Sequence, residues 1–226
     1  MNRRVRHLNP AQCGAAMSLD ARDAARSYAD GAAVTTWTGR PGTSINAAGT
    51  VPKMDVDGLN GLPAVDFPGA TGSMTHTAEV TGSATWICAM KATATYSGYR
   101  GIAAAGANTS AGSMLLANTG SGRWGTYTTT GDGAATTGLA NGAVAILSMI
   151  DNAASGGEFW RNGATNGTYA GNSAGQPERH LGGVDFLDQL PAMKLGAICL
   201  FYSAIVSPLR RRIEQSLAFS FRIPCE

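Results

Sequence analysis

Short apolar segments alternate with glycine-rich or asparagine-rich breaks along most of this chain, and this alternation strongly limits what the chain can fold into. Many short apolar runs separated by turn-forming residues are typical of strands joined by turns. The sequence therefore predicts an antiparallel β protein. The predicted strands are Ala15 to Leu19, Ala64 to Phe67, Thr85 to Thr93, Arg100 to Ala105, Ser113 to Ala117, Arg123 to Thr129, Ala143 to Asp151, Glu158 to Arg161, His180 to Gly182 and Met193 to Tyr202.

The run from Thr85 to Thr93 has apolar side chains on both of its faces. Successive strand residues point to opposite sides, so Trp86 and Met90 share one face and Ile87 lies on the other. A strand of this kind is expected at the centre of a sheet that is covered on both sides. Further along, Asn162-Gly163 predicts a two-residue hairpin with a type I′ turn, which needs positive φ at both positions.

One segment near the end of the sequence predicts a helix. We expect Ser207 to be its N-cap and Pro208 its first residue, and the helix to end before Pro224. Arg210 and Glu214 lie one turn apart and are expected on the exposed side. The inward stripe is formed by apolar residues that recur every four positions: Leu209, Ile213, Leu217 and Phe221.

The charge pattern excludes some classes of partner. Charged residues make up 14% of the chain, the net charge is +2, and arginines gather near the two ends, so no basic groove for nucleic acid is expected. No run approaches the roughly 20 apolar residues of a membrane helix, and no secretion signal is visible. We therefore expect no nucleic-acid partner, no membrane insertion and synthesis in a cytoplasm. A β-sandwich over residues 13–226 with an N-terminal arm over 1–12 fits this length.

Four cysteines leave the redox state open. Cys88 and Cys199 lie in apolar strands and are expected to be buried thiols. Cys13 and Cys225 lie near the two ends of the sequence and could pair with each other or with a neighbouring subunit, although the reduced state is favoured.

The order of several motifs resembles the concanavalin A-like, laminin G-like jelly-roll family. Leu19-Asp20-Ala21-Arg22-Asp23 resembles the opening of these domains, and Asn60 to Gly69 resembles their "Asn-Gly-x-Pro-Ala-Val-x-Phe-x-Gly" strand. Trp160 to Gly163 and the helix at Ser207-Pro208 follow in the family's order. The resemblance implies an all-β, two-sheet antiparallel β-sandwich with one short C-terminal helix. It does not imply one function, because the fold hosts lectins, glycan-binding modules, glycosidases, adhesion domains and viral structural proteins.

The carboxylates are arranged unlike those of a glycosidase. Enzymes of this kind need two carboxylates flanking the sugar bond, and the sequence has no Glu-x-Asp-x-Glu run and no closely spaced glutamates. The Gly-x-Ser-x-Gly match at residues 171–175 lacks the strand and helix that a nucleophile elbow needs. We therefore expect no catalytic residues and conclude, at this point, that the chain is not an enzyme.

Two further motif matches are explained more simply as turns. Gly120 to Gly125 fits a dinucleotide fingerprint, but the Thr and Tyr residues that follow favour a strand rather than the required helix. Asp55-Val56-Asp57-Gly58 offers two carboxylates, far fewer than the 6 to 8 oxygens that calcium takes. We expect neither a cofactor nor a metal.

The tryptophans are the candidates for stacking on sugar rings, because an exposed aromatic face is what a glycan-binding site supplies. Trp37 and Trp86 occupy positions that the family packs in its core. Trp124 and Trp160 lie beside loops, but core or sheet packing is the favoured role of each. If the chain binds a glycan, Trp124 and Tyr127 are the preferred ligand contacts.

These features lead to three functional hypotheses. The preferred one is a phage virion component, such as a capsid-decoration, collar or tail protein, of the stand-alone type found in phages. It would be located in the virion, would associate with itself as a homo-oligomer and with other virion proteins, and would contact host-surface glycans. The alternative is a bacterial carbohydrate-binding, lectin-like module, and the third is a glycoside-active enzyme.

Overall fold

The structure, a computed structural model, describes residues 8–39, 44–48, 52–69, 72–108, 111–128, 131–153, 155–171, 179–182 and 191–226. It confirms the predicted all-β sandwich. The described residues contain two helices, α1 (Ala21–Ala24) and α2 (Ser207–Phe221). The strands are β1 (Met17–Asp20), β2 (Thr36–Thr38), β3 (Ser44–Ala48), β4 (Lys53–Asp55), β5 (Ala64–Pro68), β6 (Ser73–Thr75), β7 (Ala84–Ala92), β8 (Tyr99–Asn108), β9 (Ala111–Thr119), β10 (Gly125–Thr128), β11 (Gly131–Ala134), β12 (Val144–Asp151), β13 (Gly157–Arg161), β14 (Ala164–Tyr169), β15 (Arg179–Leu181) and β16 (Ala192–Phe201).

The strands form two antiparallel sheets that pack face to face. Sheet A has the order β14-β13-β12-β7-β16-β5-β4, and β1 also pairs with β16. Sheet B has the order β11-β10-β9-β8-β15-β6-β3-β2. The large core cluster between the sheets takes side chains from both of them, as in other sandwiches.

Strand β7 occupies the centre of sheet A, between β12 and β16, as its sequence predicts. Trp86 and Met90 point into the core between the sheets. Ile87 and Ala89 point to the other side, where a second apolar cluster lies under α2. Both faces of sheet A are therefore covered, which explains why β7 is apolar on both sides.

Helix α2 packs its apolar stripe on the outer face of sheet A, with Ile213 and Phe221 fully buried. The predicted N-cap is wrong by one residue: Val206 is the N-cap, and its side chain cannot accept a hydrogen bond. Pro208 still lies in the first turn, where its missing N–H is tolerated. The helix ends at Arg222, whose left-handed backbone closes the last turn through a hydrogen bond from its N–H to the Ala218 carbonyl.

The pair Arg210 and Glu214 is buried, whereas the sequence predicted it on the exposed side. Only 2% of Arg210 and none of Glu214 is exposed, and the two side chains form an ion pair. The Arg210 guanidinium also lies 3.7 Å above the centre of the Trp160 ring. The hairpin of β13 and β14 therefore covers charges that a helical pattern alone assigns to solvent.

The predicted Asn162-Gly163 turn is present, with φ of 52° at Asn162 and 87° at Gly163. The Asn162 side chain accepts a hydrogen bond from the Ile146 N–H at 2.8 Å. The Asn162 carbonyl accepts one from the Glu226 N–H at 2.9 Å, which holds the last residues against the turn. A side chain at Gly163 would collide with the Glu226 backbone, so glycine is needed here for space as well as for its positive φ.

The second half of the predicted arm packs on the sandwich. The Leu8 N–H donates to the Ser216 hydroxyl of α2 at 3.0 Å, and Pro10–Cys13 forms a 3₁₀ turn capped by Asn9. The first half, Met1 to His7, lies outside the described residues. Neither described helix has the length and apolarity to span a membrane.

All four cysteines are free thiols in the structure. Cys88 and Cys199 are buried in β7 and β16, as predicted. Burial in an apolar environment raises the pKa of the Cys88 thiol to about 12, so it remains protonated at neutral pH. Cys13 and Cys225 are half-buried and form no disulfide with each other.

Candidate functional site

The outer faces of the two sheets differ in what covers them. Helix α2 lies on the outer face of sheet A, whereas neither described helix lies on the outer face of sheet B. On that face a small apolar cluster is formed by Ala104, Met114 and Leu116, with Tyr99 and Tyr127 packed against it. Ala104, Met114 and Leu116 are at most 1% exposed, so the half-buried Tyr99 and Tyr127 are the members of this cluster that a ligand can reach.

The strand register aligns four residues in one row across this face. Thr75 of β6 lies opposite His180 of β15, His180 lies opposite Ala104 of β8, and Ala104 lies opposite Met114 of β9. Residues directly opposite each other in antiparallel strands project to the same side. The row therefore runs from half-buried polar side chains at Thr75 and His180 to an apolar floor at Ala104 and Met114.

Two tyrosines lie on the apolar end of this row. Tyr99 and Tyr127 are both half-buried, and their ring centres are 5.9 Å apart with an edge-to-face angle of 79°. This is the favoured geometry for an aromatic pair, so each ring orients the other. A tyrosine ring offers an apolar face and a polar hydroxyl, which suits a ligand with C–H and O–H groups, such as a sugar.

Trp124 does not lie on this surface: it has the packing role that the sequence favours, and its alternative role as a ligand contact gains no support. It is 0% exposed, and its ring packs edge-on to Phe159 at 5.1 Å between ring centres. Its indole N–H donates to the Asn166 Oδ1 of β14 at 3.0 Å. Tyr127 is an odd number of positions away and lies on the opposite face. The ligand role of Tyr127 stays a prediction.

The other tryptophans also pack rather than face solvent. Trp37 and Trp86 are fully buried, as predicted, and their indole N–H groups donate to the Asp20 carbonyl and the Ser113 hydroxyl. Trp160 is half-buried beneath Arg210.

Sequence reasoning missed Tyr99, Thr75 and His180 as members of the outer face. Tyr99 precedes two register shifts in β8, between Arg100 and Gly101 and between Gly101 and Ala103. Each shift breaks the alternation of side chains between the two faces, so the face on which Tyr99 lies cannot be deduced from the sequence. The strands β6 and β15 have three residues each, too few for a period to be recognised.

A buried histidine lies beside this row. His76 is 6% exposed, and its Nδ1 accepts a hydrogen bond from the Ala78 N–H at 3.2 Å. Burial, with smaller contributions from the neighbouring His180 and Arg179, lowers the pKa of His76 to about 4. His76 is therefore neutral in the folded protein at pH values where an unfolded chain would bind a proton.

This difference predicts that the protein loses stability in mild acid. Between pH 6.5 and about 4 the unfolded chain binds a proton that folded His76 does not. We expect the free energy of unfolding to fall by about 2 kcal/mol from this group between neutral pH and a pH of about 5. The measurement is urea denaturation across this range for the wild type and for His76→Asn, which keeps an acceptor for Ala78. An equal pH dependence in both proteins would contradict the assignment.

A polar cleft of about 340 Å³ lies between the arm residues Leu8 to Pro10, helix α1 and helix α2. Its charged groups already bind one another: the Arg22 guanidinium pairs with Asp20, and Arg26 lies 3.7 Å from Asp23. The Ser216 hydroxyl bonds the Leu8 backbone. The polar groups of the cleft are thus used in contacts within the protein, and the cleft is explained as the place where the arm packs against the two helices.

The turn at Asp55 to Gly58 is occupied by protein contacts. Asp55 forms an ion pair with Lys194 and accepts a hydrogen bond from the Asp57 N–H at 3.1 Å. Within the described ranges, no group of three or more His, Cys, Asp or Glu side chains is arranged to hold a metal ion. The serine of the 171–175 motif lies outside the described residues.

Comparison with known proteins identifies the fold. No protein-family model matches the sequence, and no characterised protein matches it by sequence. A Trypanosoma rangeli sialidase in complex with 2-keto-3-deoxy-D-glycero-D-galacto-2,3-difluoro-nononic acid matches with a TM-score of 0.64 at 11% identity, over 93% of this chain and 33% of the sialidase. Another structure of that sialidase holds sialic acid.

Botulinum neurotoxin chains match as well. The type C toxin, whose cell entry is described as dependent on interaction with two ganglioside molecules, has a TM-score of 0.58 at 10% identity, over 92% of this chain and 52% of the toxin chain. The serotype G binding domain has a TM-score of 0.59 at 8% identity, over 92% and 51%. The chain thus spans about a third of the sialidases and about half of the toxin chains.

Two sequence-based expectations change with these matches. The conclusion that the chain is not an enzyme is wrong as drawn, because sialidases, which are enzymes, share this fold over most of the chain. The proteins named here include no phage virion component, so the virion hypothesis gains no support from them. What the similarity shows is the fold: a two-sheet, jelly-roll-like β-sandwich of the kind found in these sialidase and toxin chains.

Proposed function

We propose that this protein is a carbohydrate-binding, lectin-like module that holds a glycan on the outer face of sheet B. The observation that carries the proposal is the pair of half-buried tyrosines, Tyr99 and Tyr127, above the apolar floor of Ala104, Met114 and Leu116. An aromatic ring on such a floor is already ordered, so stacking a sugar on it costs little conformational entropy.

The polar end of the row supplies the second requirement for binding a sugar. Thr75 and His180 lie on the same face as Tyr127, and hydroxyl and imidazole groups can donate and accept hydrogen bonds. A few polar groups beside an apolar surface fix the orientation of a bound ligand. The gangliosides and sialic acid named for the structural neighbours support a glycan as the ligand class. We assign the binding module to residues 13–226.

The proposal predicts that Tyr127→Ala weakens glycan binding about two- to tenfold, because an aromatic contact of this kind contributes roughly 0.5 to 1.5 kcal/mol. The measurement is a glycan array with the wild type, followed by titration calorimetry with the best ligand. Tyr202→Ala is the matched control, because Tyr202 is an exposed tyrosine that follows β16 of the other sheet.

Binding that is weakened by Tyr127→Ala and kept by Tyr202→Ala supports the proposal. If the wild type binds no glycan on the array, or if both variants lose affinity equally, the proposal is wrong. Circular dichroism of each variant separates loss of binding from loss of fold.

A further inference from the structure

The outward side of α2 carries a basic stripe with an aromatic residue in it. Arg211, Arg212, Gln215, Phe219 and Arg222 are all exposed. Arg211, Gln215 and Phe219 follow one another every four positions. Arg212 lies three positions before Gln215, and the C-cap Arg222 lies three positions after Phe219, so the set follows one side of the helix, opposite the stripe that packs on sheet A. The stripe spans about 17 Å along the helix axis, since each residue adds about 1.5 Å. We name these five residues the α2 stripe.

The charge of the α2 stripe is not balanced within the helix. Glu214 is the acidic residue of the segment from Ser207 to Arg222, and it is buried in its ion pair with Arg210. The α2 stripe therefore presents three positive charges on the surface. Its end is held in place, because the Asn60 amide donates to the Phe221 carbonyl at 3.0 Å and to the Arg222 carbonyl at 3.2 Å.

Phe219 is 60% exposed and lies among these arginines. The other exposed large apolar side chains of the described residues are Tyr202 and Val206, and both lie outside the α2 stripe. The apolar face of α2 packs on sheet A, so the helix itself cannot enter a membrane, but an aromatic ring flanked by arginines can place the ring among lipid headgroups and the charges beside lipid phosphates.

The shape of the surface decides between two anionic partners, a membrane surface and an acidic polymer chain. Helix α2 lies on top of sheet A, so its outward side forms a ridge rather than a groove. A ridge fits a flat surface, whereas a polymer chain is held better by a groove that contacts it from two sides. We propose that the α2 stripe docks the protein on a membrane surface rich in anionic phospholipids, with Phe219 inserted at headgroup depth. This site lies on the opposite side of the sandwich from the proposed glycan face.

The test is co-sedimentation of the full chain with vesicles. One set contains phosphatidylcholine alone, and the other contains about one phosphatidylserine in three lipids, enough to give the surface potential that attracts basic segments. We expect the wild type to partition about tenfold or more strongly onto the anionic vesicles, and this preference to fall as salt is added. Replacing both arginines in Arg211→Gln/Arg212→Gln is expected to lower partitioning about tenfold, and Phe219→Ser several-fold.

Arg123→Gln is the matched control, because Arg123 is an exposed arginine next to β10 of sheet B. The proposal is overturned if the wild type binds both kinds of vesicle equally or not at all, or if the α2 stripe variants bind like Arg123→Gln. Binding to heparin without vesicle binding, lost in the same variants, would assign the stripe to an acidic polymer and also overturn it. The outcome is independent of the glycan array, which reports on the opposite face.

Discussion

Replacing Arg210 by alanine is expected to lower the free energy of unfolding by about 3 to 5 kcal/mol, because one partner of a buried ion pair is then left as an isolated charge. Glu214 is fully buried, so the substitution leaves its carboxylate in the interior without the guanidinium that neutralises it. The substitution also removes the guanidinium that packs on the Trp160 ring, and with it a contact between α2 and the hairpin of β13 and β14. The measurement is guanidinium chloride denaturation at neutral pH.

Arg211→Ala is the matched control, since Arg211 is the next residue of the helix and is exposed. We expect that change to stay within about 0.5 kcal/mol of the wild type, as is usual for surface substitutions. The double variant Arg210→Met/Glu214→Leu should recover most of the lost stability, because replacing both charges by apolar groups removes the isolated carboxylate. A cost below about 1 kcal/mol for Arg210→Ala would show that the pair is not buried in solution.

Trp124→Ala is expected to destabilise the fold by about 3 to 5 kcal/mol, the usual cost of removing a large buried aromatic side chain. The indole fills the core between β10 and the strands β13 and β14, where it contacts Phe159 and bonds Asn166. Its loss leaves a cavity and an amide oxygen that must find another donor. The measurement is again chemical denaturation, with near-ultraviolet circular dichroism to follow the aromatic core.

Trp124→Phe separates these contributions, because it keeps an aromatic ring beside Phe159 but cannot donate to Asn166. We expect it to cost clearly less than Trp124→Ala. If Trp124→Ala leaves stability unchanged but abolishes glycan binding, then Trp124 acts as a ligand contact and its buried placement is wrong. For this reason Tyr127, rather than Trp124, is the informative residue for tests of binding.

The parts of the fold that could be predicted have local signals. Strand β7 is an almost continuous apolar run whose successive residues point to opposite faces of sheet A. Asn162-Gly163 has the conformational freedom that a type I′ turn needs. The inward stripe of α2 follows a four-residue spacing that survives in the structure, although Leu209 is only half-buried. Each signal is contained in fewer than fifteen residues.

The parts that could not be predicted depend on contacts between distant segments. The charges of Arg210 and Glu214 are buried because a hairpin some fifty positions earlier in the sequence covers them. The spacing of residues in the helix gives no information about that hairpin. Trp124 is adjacent to a loop in sequence but is buried by β14. The row of Thr75, His180 and Ala104 is created by the pairing of β6, β15 and β8, which no local pattern encodes.

The position of β16 has a consequence for how the chain acquires its structure during synthesis. This strand follows the other fifteen described strands in sequence, yet it pairs with β1, β5 and β7 in the middle of sheet A. Met17 of β1 meets Leu200 of β16, so that contact closes a loop of nearly the whole chain. Until β16 leaves the ribosome, β1, β5 and β7 have unpaired edges that invite pairing with other chains. The nascent protein therefore depends on slow, non-local closure, and its exposure to chaperones and to aggregation ends only when this strand inserts.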